Sequence, residues 1–295
     1  MVAGGVVVSI IKGMVWGEMK KIVLFPKDSV LIPVHITQGI EQRIEFKSIN
    51  MSKRPPSGRC VHCLKYFDTL TWDHVLPDSW YPDGIYNLEK WEVPACERCN
   101  KELGKIEERL LTKLGLCLDP QELCSLGIPD KVLHYLNPLY GKNERDQTSR
   151  WKKREAVLKE TMIFRELSEQ QIFPNFGPIS SLEYEEYPSV VIGQDDLNKF
   201  AEKVVRGIAY IADKSFIEDC YKIDLFVIDE DKDFEIRNLI DKHGTIFDRG
   251  VAFIVIRLLV ENDQVGGIHY FKIWGRFMFY VVVSPKYLNE NIIYP

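Results

Sequence analysis

Four of the seven cysteines stand in two Cys-x-x-Cys pairs, Cys60 with Cys63 in "CVHC" and Cys96 with Cys99 in "CERC". A thiolate pair at this spacing chelates from one tight turn, and two such pairs complete the tetrahedral shell that Zn²⁺ prefers. A redox-active pair would need no second pair. The odd cysteine total and the lack of a convincing signal peptide also speak against a secreted disulfide framework. His62, inside the first pair, is the alternative ligand that could replace one of the thiols. A closed four-thiolate site leaves no position for substrate, so the expected zinc is structural and any chemistry belongs to the loop it ties together.

That loop carries Asp73-His74, then Pro77, then Asn87, and Asn100 directly follows the last cysteine. A carboxylate and an amide oxygen are hard donors suited to Mg²⁺, with Mn²⁺ as the alternative. A neighbouring imidazole that titrates near neutrality can take a proton from water. A base for the nucleophile and a cation for the leaving oxygen are what phosphodiester hydrolysis requires. An Asp-His dipeptide alone is usually a surface turn. Set between two zinc knuckles, it acquires chemical meaning.

Read in order, "CVHC … WDHVLP … YNLEKWEVPACERCNK" resembles the HNH endonucleases over about residues 58–114. Their ββα-metal module joins two zinc knuckles to a "DH-x-x-P … N … C-x-x-C-[HN]" core. The resemblance implies a single-Mg²⁺ nuclease with His74 as general base and Asp73 as a ligand of the catalytic metal. Asn87 then matches the asparagine that bridges the loop and orients the histidine. The family's final histidine falls on Asn100, whose amide oxygen suits Mg²⁺ and disfavours an imidazole-preferring metal. The expected partner is nucleic acid, DNA ahead of RNA, and two-part arrangements of this kind resemble nucleases of prokaryotic defence or mobile elements. The competing reading is a non-catalytic zinc-knuckle module that binds nucleic acid or protein, with Asp73-His74 merely structural.

Phosphate contacts must come from local patches, because the net charge is −5 and supplies no global basic field. The linker residues Lys53, Arg54 and Arg59 and the cluster Arg150, Lys152, Lys153 and Arg154 are the candidates. Lys101 and Lys105, on the helix expected to start near Cys96, join them, although solvated helix lysines are the commoner outcome. His134, His243, His269, Cys117, Cys124 and Cys220 lack metal spacing and read as packed or surface groups. Trp72, Trp80 and Trp91 read as packing of the small module, with base stacking also open to Trp80.

The elements that must position these groups follow from hydrophobic period. Apolar content is 45% of 295 residues, that of an ordinary globular protein. Residues 1–50 hold β-branched runs at Val6–Ile11, Ile22–Phe25, Val30–Ile36 and Ile40–Phe46 and form a β-rich extension. None is long enough to span a bilayer, so a cytoplasmic protein without membrane contact is expected. Residues 51–118 form the zinc-stapled module, ending in a helix with Leu103, Ile106, Leu110 and Leu114 on one face and Gly115 as its stop. A helical connecting segment fills 119–180. Residues 185–295 form an α+β domain with an antiparallel sheet. In it a helix capped by Asp195 carries Leu197, Phe200, Ala201, Val204, Val205 and Ile208 on one face. "VAFIVIRLLVE", "GIHYFKIWG" and "RFMFYVVVS" are long β runs joined by short turns. This domain has 13 Lys/Arg against 19 Asp/Glu. It is an unlikely surface for phosphates, so regulation, ligand sensing or partner docking is its expected part.

Overall fold

The computed structural model describes residues 5–9, 55, 57–84, 90–162, 189–226 and 230–286. The β-branched runs at Ile22–Phe25, Val30–Ile36 and Ile40–Phe46 lie outside the described residues, as do Lys53, Arg54 and Asn87. The elements in chain order are β1 (Gly5–Ser9), β2 (Gly58–Arg59), β3 (Tyr66–Phe67), β4 (Thr71–His74), β5 (Glu92–Ala95), α1 (Glu97–Gly115), α2 (Ile128–Leu136) and α3 (Glu144–Met162). After these come β6 (Ser189–Gly193), α4 (Gln194–Asp213), β7 (Tyr221–Phe226), α5 (Glu230–His243), β8 (Thr245–Asp248), β9 (Phe253–Leu259), β10 (Gly267–Ile273) and β11 (Phe277–Pro285). Helices and antiparallel sheets are mixed throughout. No described helix is long and apolar enough to cross a membrane.

The described residues fall into two compact units. One holds β1, the C-terminal half of α1, α2, α3 and β6. Strand β1 pairs antiparallel with β6, Val7 opposite Val191. Helices α1 and α3 are tied by Lys113–Glu160 at 2.5 Å and Lys153–Glu108 at 2.6 Å, above buried Leu110, Leu114 and Val157. Helix α2 follows Gly127, whose φ of +76° is the left-handed conformation that glycine adopts without strain.

The other unit holds the cysteine module and a five-stranded antiparallel sheet in the order β7-β11-β10-β9-β8. Period-two alternation gives this sheet two apolar faces. Ile256, Tyr270 and Tyr280, aligned across β9, β10 and β11, pack with Ile240 of α5. Their neighbours Val255, Phe271 and Phe279 form the opposite face, where Phe247 and Val281 are also buried. Helix α4 reaches that second face, its Asp213 pairing with Arg257 of β9 at 2.7 Å. The apolar stripe expected on α4 is the one observed, with Phe200, Ala201, Val204, Val205 and Ile208 at 0–1% exposure. Burying such a stripe contributes about 25 cal/mol per Å² of apolar area.

Candidate functional site

The first cysteine pair sits in the hairpin between β2 and β3, closed by Cys60 N–H donating to Lys65 C=O and Leu64 N–H donating to Cys60 C=O, both at 2.9 Å. Leu64 takes a φ of 61°, the strained residue that lets so short a turn close. The second pair lies where β5 runs into α1. Cys96 precedes the helix and Cys99 sits in its first turn, with Cys99 N–H donating to Cys96 Sγ at 3.4 Å. A helix N-terminus favours thiolate, so this placement prepares the sulfurs for a cation.

All four sulfurs lie within 4.8 Å of one another, and Cys63 Sγ stands 3.9 Å from Cys96 Sγ. A tetrahedral zinc with Zn–S bonds of about 2.3 Å requires an S···S edge of about 3.8 Å, so the donor set fits the ion. The hydrogen bond from Cys99 draws the Cys60 thiol down to about 4, which makes one sulfur a ready thiolate. The same bond, followed by burial, drives Cys99 up. Leu70, Ala95, Phe67 and Leu103 pack around the sulfurs in a cluster too small to hold the hairpins alone. Among the described residues, these cysteines are the only group of three or more His, Cys, Asp or Glu side chains placed to hold a metal ion.

Strand β4 pairs antiparallel with β5, and α1 follows, giving a β-β-α order. Asp73 and His74 are successive on β4, so they project to opposite faces. His74 is 32% exposed, with Nε2 at 3.2 Å from Glu92 Oε1, its cross-strand neighbour, and 3.4 Å from Asp78 Oδ1. Lys90 holds the other oxygen of Asp78 at 2.6 Å. Asn100 lies one turn into α1 and binds back to the strand, its Nδ2 donating to Thr71 Oγ1 at 3.1 Å and to Trp72 C=O at 3.3 Å. Thr71 and Asp73 share a face of β4, so Asn100 is brought to the side of the strand that Asp73 occupies.

Asp73 is 5% exposed, and both its oxygens are engaged. His62 Nε2 donates to Oδ2 at 2.8 Å, and Lys203 Nζ of α4 donates to Oδ1 at 3.0 Å. Burial pushes the Asp73 carboxyl up, but the His62 hydrogen bond and the Lys203 charge outweigh it and hold the group below the usual carboxylate range. His62 is therefore a partner of Asp73, and the four sulfurs come together without it. Unit charges about 4 Å apart interact by about 4 kcal/mol at an effective dielectric of 20, so a dication near the ammonium would be opposed by about 8 kcal/mol. Asp73 and Asn100, as arranged, do not fit a divalent cation.

Lys203 was not legible as a site residue, although the signal was present. It is a lysine 2% exposed within an otherwise apolar helical stripe, and a charge in that setting needs a buried partner. Its stripe neighbours explain how it is delivered. Phe200 stacks on Trp80 with ring centroids 4.6 Å apart, and a Cβ on Gly207 would fall 2.7 Å from Val75 Cγ2. Phe200, Lys203 and Gly207, spaced three and four apart, form the ridge that presses α4 onto the loop after β4. Trp80 and Trp91 are both buried and pack the module, Trp80 also accepting from Trp274 Nε1 at its carbonyl.

None of the described candidates for phosphate contact is buried, and several are paired. Arg59 forms a bidentate pair with Glu218 at 2.8 and 2.9 Å and lies over the Phe216 ring. Arg150 donates to the carbonyls of His134 and Tyr135, and Lys153 to Glu108. Lys101 is exposed and pairs with Glu97, while Lys105 and Lys152 are exposed and Arg154 half-buried. Comparison with protein-family models, curated proteins and solved structures returns no match.

Proposed function

We propose that the cysteine module is the core of an HNH-type endonuclease that hydrolyses nucleic-acid phosphodiester bonds. The observation that carries this reading is the β4–β5–α1 order, with one cysteine pair in the hairpin before β4 and the other where β5 meets α1. It brings the Asp73-His74 strand and Asn100 to one small framework, with His74 part-exposed beside Glu92 and Asp78 and Asp73 buried on the other face. His74 takes the proton from the attacking water, Glu92 and Asp78 fix its ring on the strand, and zinc holds the strand against the helix. The resemblance to the HNH pattern supports a Mg²⁺- or Mn²⁺-dependent reaction on DNA ahead of RNA. The arrangement described above is closed to that cation.

The second reading is a zinc-stapled module that binds nucleic acid or protein without catalysis. One observation favours it: Asp73 serves as a buried structural ion pair, bonded on both oxygens. The two readings separate in a supercoiled-plasmid nicking assay with Mg²⁺, run on the zinc-loaded full chain and on His74→Ala. The nuclease reading expects cleavage that drops by about 10²-fold or more in the variant. Equal rates for the two proteins would refute it.

A further inference from the structure

We infer that Lys203 is a built-in occupant of the cation position, so that helix α4 latches the nuclease module shut. The inference rests on the nuclease reading for the role of Asp73, and on this chain's geometry for everything else. The ammonium lies 3.0 Å from Asp73 Oδ1 with its side chain 1% exposed, so no solvent separates the pair and no ion can slip between them. His62, fixed inside the first zinc knuckle, holds the second oxygen at 2.8 Å, so the carboxylate cannot rotate away to serve a different ligand. An ammonium and a divalent cation are alternative partners for one carboxylate, and like charges at such separation exclude each other.

The lysine is not a flexible surface chain that a metal could brush aside. It is carried on a helix whose neighbouring contacts are tight on both sides. Phe200 lies on Trp80, itself 3% exposed, and Gly207 approaches Val75 so closely that no β-carbon fits. The glycine is therefore required by the closeness of the helix to the module. The C-terminal end of α4 is tied to the sheet through Asp213 and Arg257. A cation reaches Asp73 only when α4 lifts, so metal occupancy and helix docking are mutually exclusive states of one site, and each must weaken the other by the same factor.

The test uses the zinc-loaded full chain and Mn²⁺ as the probe, with free Mn²⁺ read by electron paramagnetic resonance. Lys203→Met should gain one site binding at least 10-fold tighter than any in the unmodified chain, and Asp73→Asn in the same background should remove it. Gly207→Ala keeps Lys203 but pushes α4 off Val75, and it should give a smaller gain at the same carboxylate. Retained zinc content shows that each variant is folded. In the unmodified chain, saturating Mn²⁺ should speed amide hydrogen exchange along α4. The latch is overturned if the unmodified chain binds Mn²⁺ at Asp73 as tightly as Lys203→Met does. It is equally overturned if neither variant gains a site, or if α4 exchange is indifferent to the ion. Failure of the nuclease reading looks different: Lys203→Met then binds Mn²⁺ at Asp73 yet nicks no DNA.

Discussion

Removing the ammonium from Asp73 should be strongly destabilising, and removing both charges should not be. Lys203→Met leaves a carboxylate at 5% exposure with His62 as its remaining partner. Breaking one side of a buried pair leaves an uncompensated charge and typically destabilises by about 3–5 kcal/mol. The surviving His62 bond puts this case near the lower figure, about 3 kcal/mol. Asp73→Asn strands an ammonium at 2% exposure and should cost about as much. In the double variant neither charge remains, and a methionine fits an apolar ridge that already holds Phe200. Its loss should be roughly 1–2 kcal/mol, well short of the sum, giving a coupling energy of several kcal/mol. The assay is urea unfolding of the zinc-loaded wild type, both single variants and the double variant at neutral pH. Losses that add to within about 0.5 kcal/mol would show that the 3.0 Å pair is not a coupled buried ion pair, and the argument from it would fail.

Chain purified without chelators should carry about one zinc, and Cys96→Ser should lose it together with the fold of the module, because a structural zinc contributes about 10–16 kcal/mol to a small domain. Elemental analysis finding no zinc in the unmodified protein would contradict this. A second expectation concerns acid stability. Burial, followed by the charge of Arg257, lowers the pKa of His269 to about 3. The unfolded histidine titrates near 6.5, so the unfolded chain binds more protons across that window and stability falls as pH drops from about 6.5 to 3. The slope from this one residue is at most about 1.4 kcal/mol per pH unit, and His269→Leu should flatten the profile by that amount in pH-dependent urea unfolding. An unchanged profile would mean that His269 does not carry it.

The parts legible in sequence were those set by short-range chemistry. Cys-x-x-Cys spacing anticipated the sulfur cluster, and alternating or helical apolar period anticipated α1, α4 and the strands β9, β10 and β11. The illegible parts depend on contacts between segments far apart in the chain. Lys203 meets Asp73 across 130 positions, and Arg59 meets Glu218 across 159. No local pattern encodes either pairing. That is why neither Glu218 as a partner of Arg59 nor Lys203 as a partner of Asp73 was legible. The opposite faces of Asp73 and His74 were readable only once their run was known to be a strand, which "TWDH", with a single β-branched residue, does not announce. The pairings of Arg150 and Lys153 were hidden for the same reason, since a basic run on a helix does not reveal that two of its members also bind carbonyls and an acid on neighbouring helices.

The central claim, a zinc-stapled nuclease core with His74 as its base, is tested most directly in the unlatched background. Supercoiled plasmid should be incubated with Mg²⁺ and zinc-loaded Lys203→Met, alone and combined with His74→Ala. Lys203→Met should nick faster than the unmodified chain, and the rate should fall by about 10²-fold or more when His74 is also removed. Nicking that survives the loss of His74 unchanged, or no nicking from a Lys203→Met protein that has bound the cation, would contradict it.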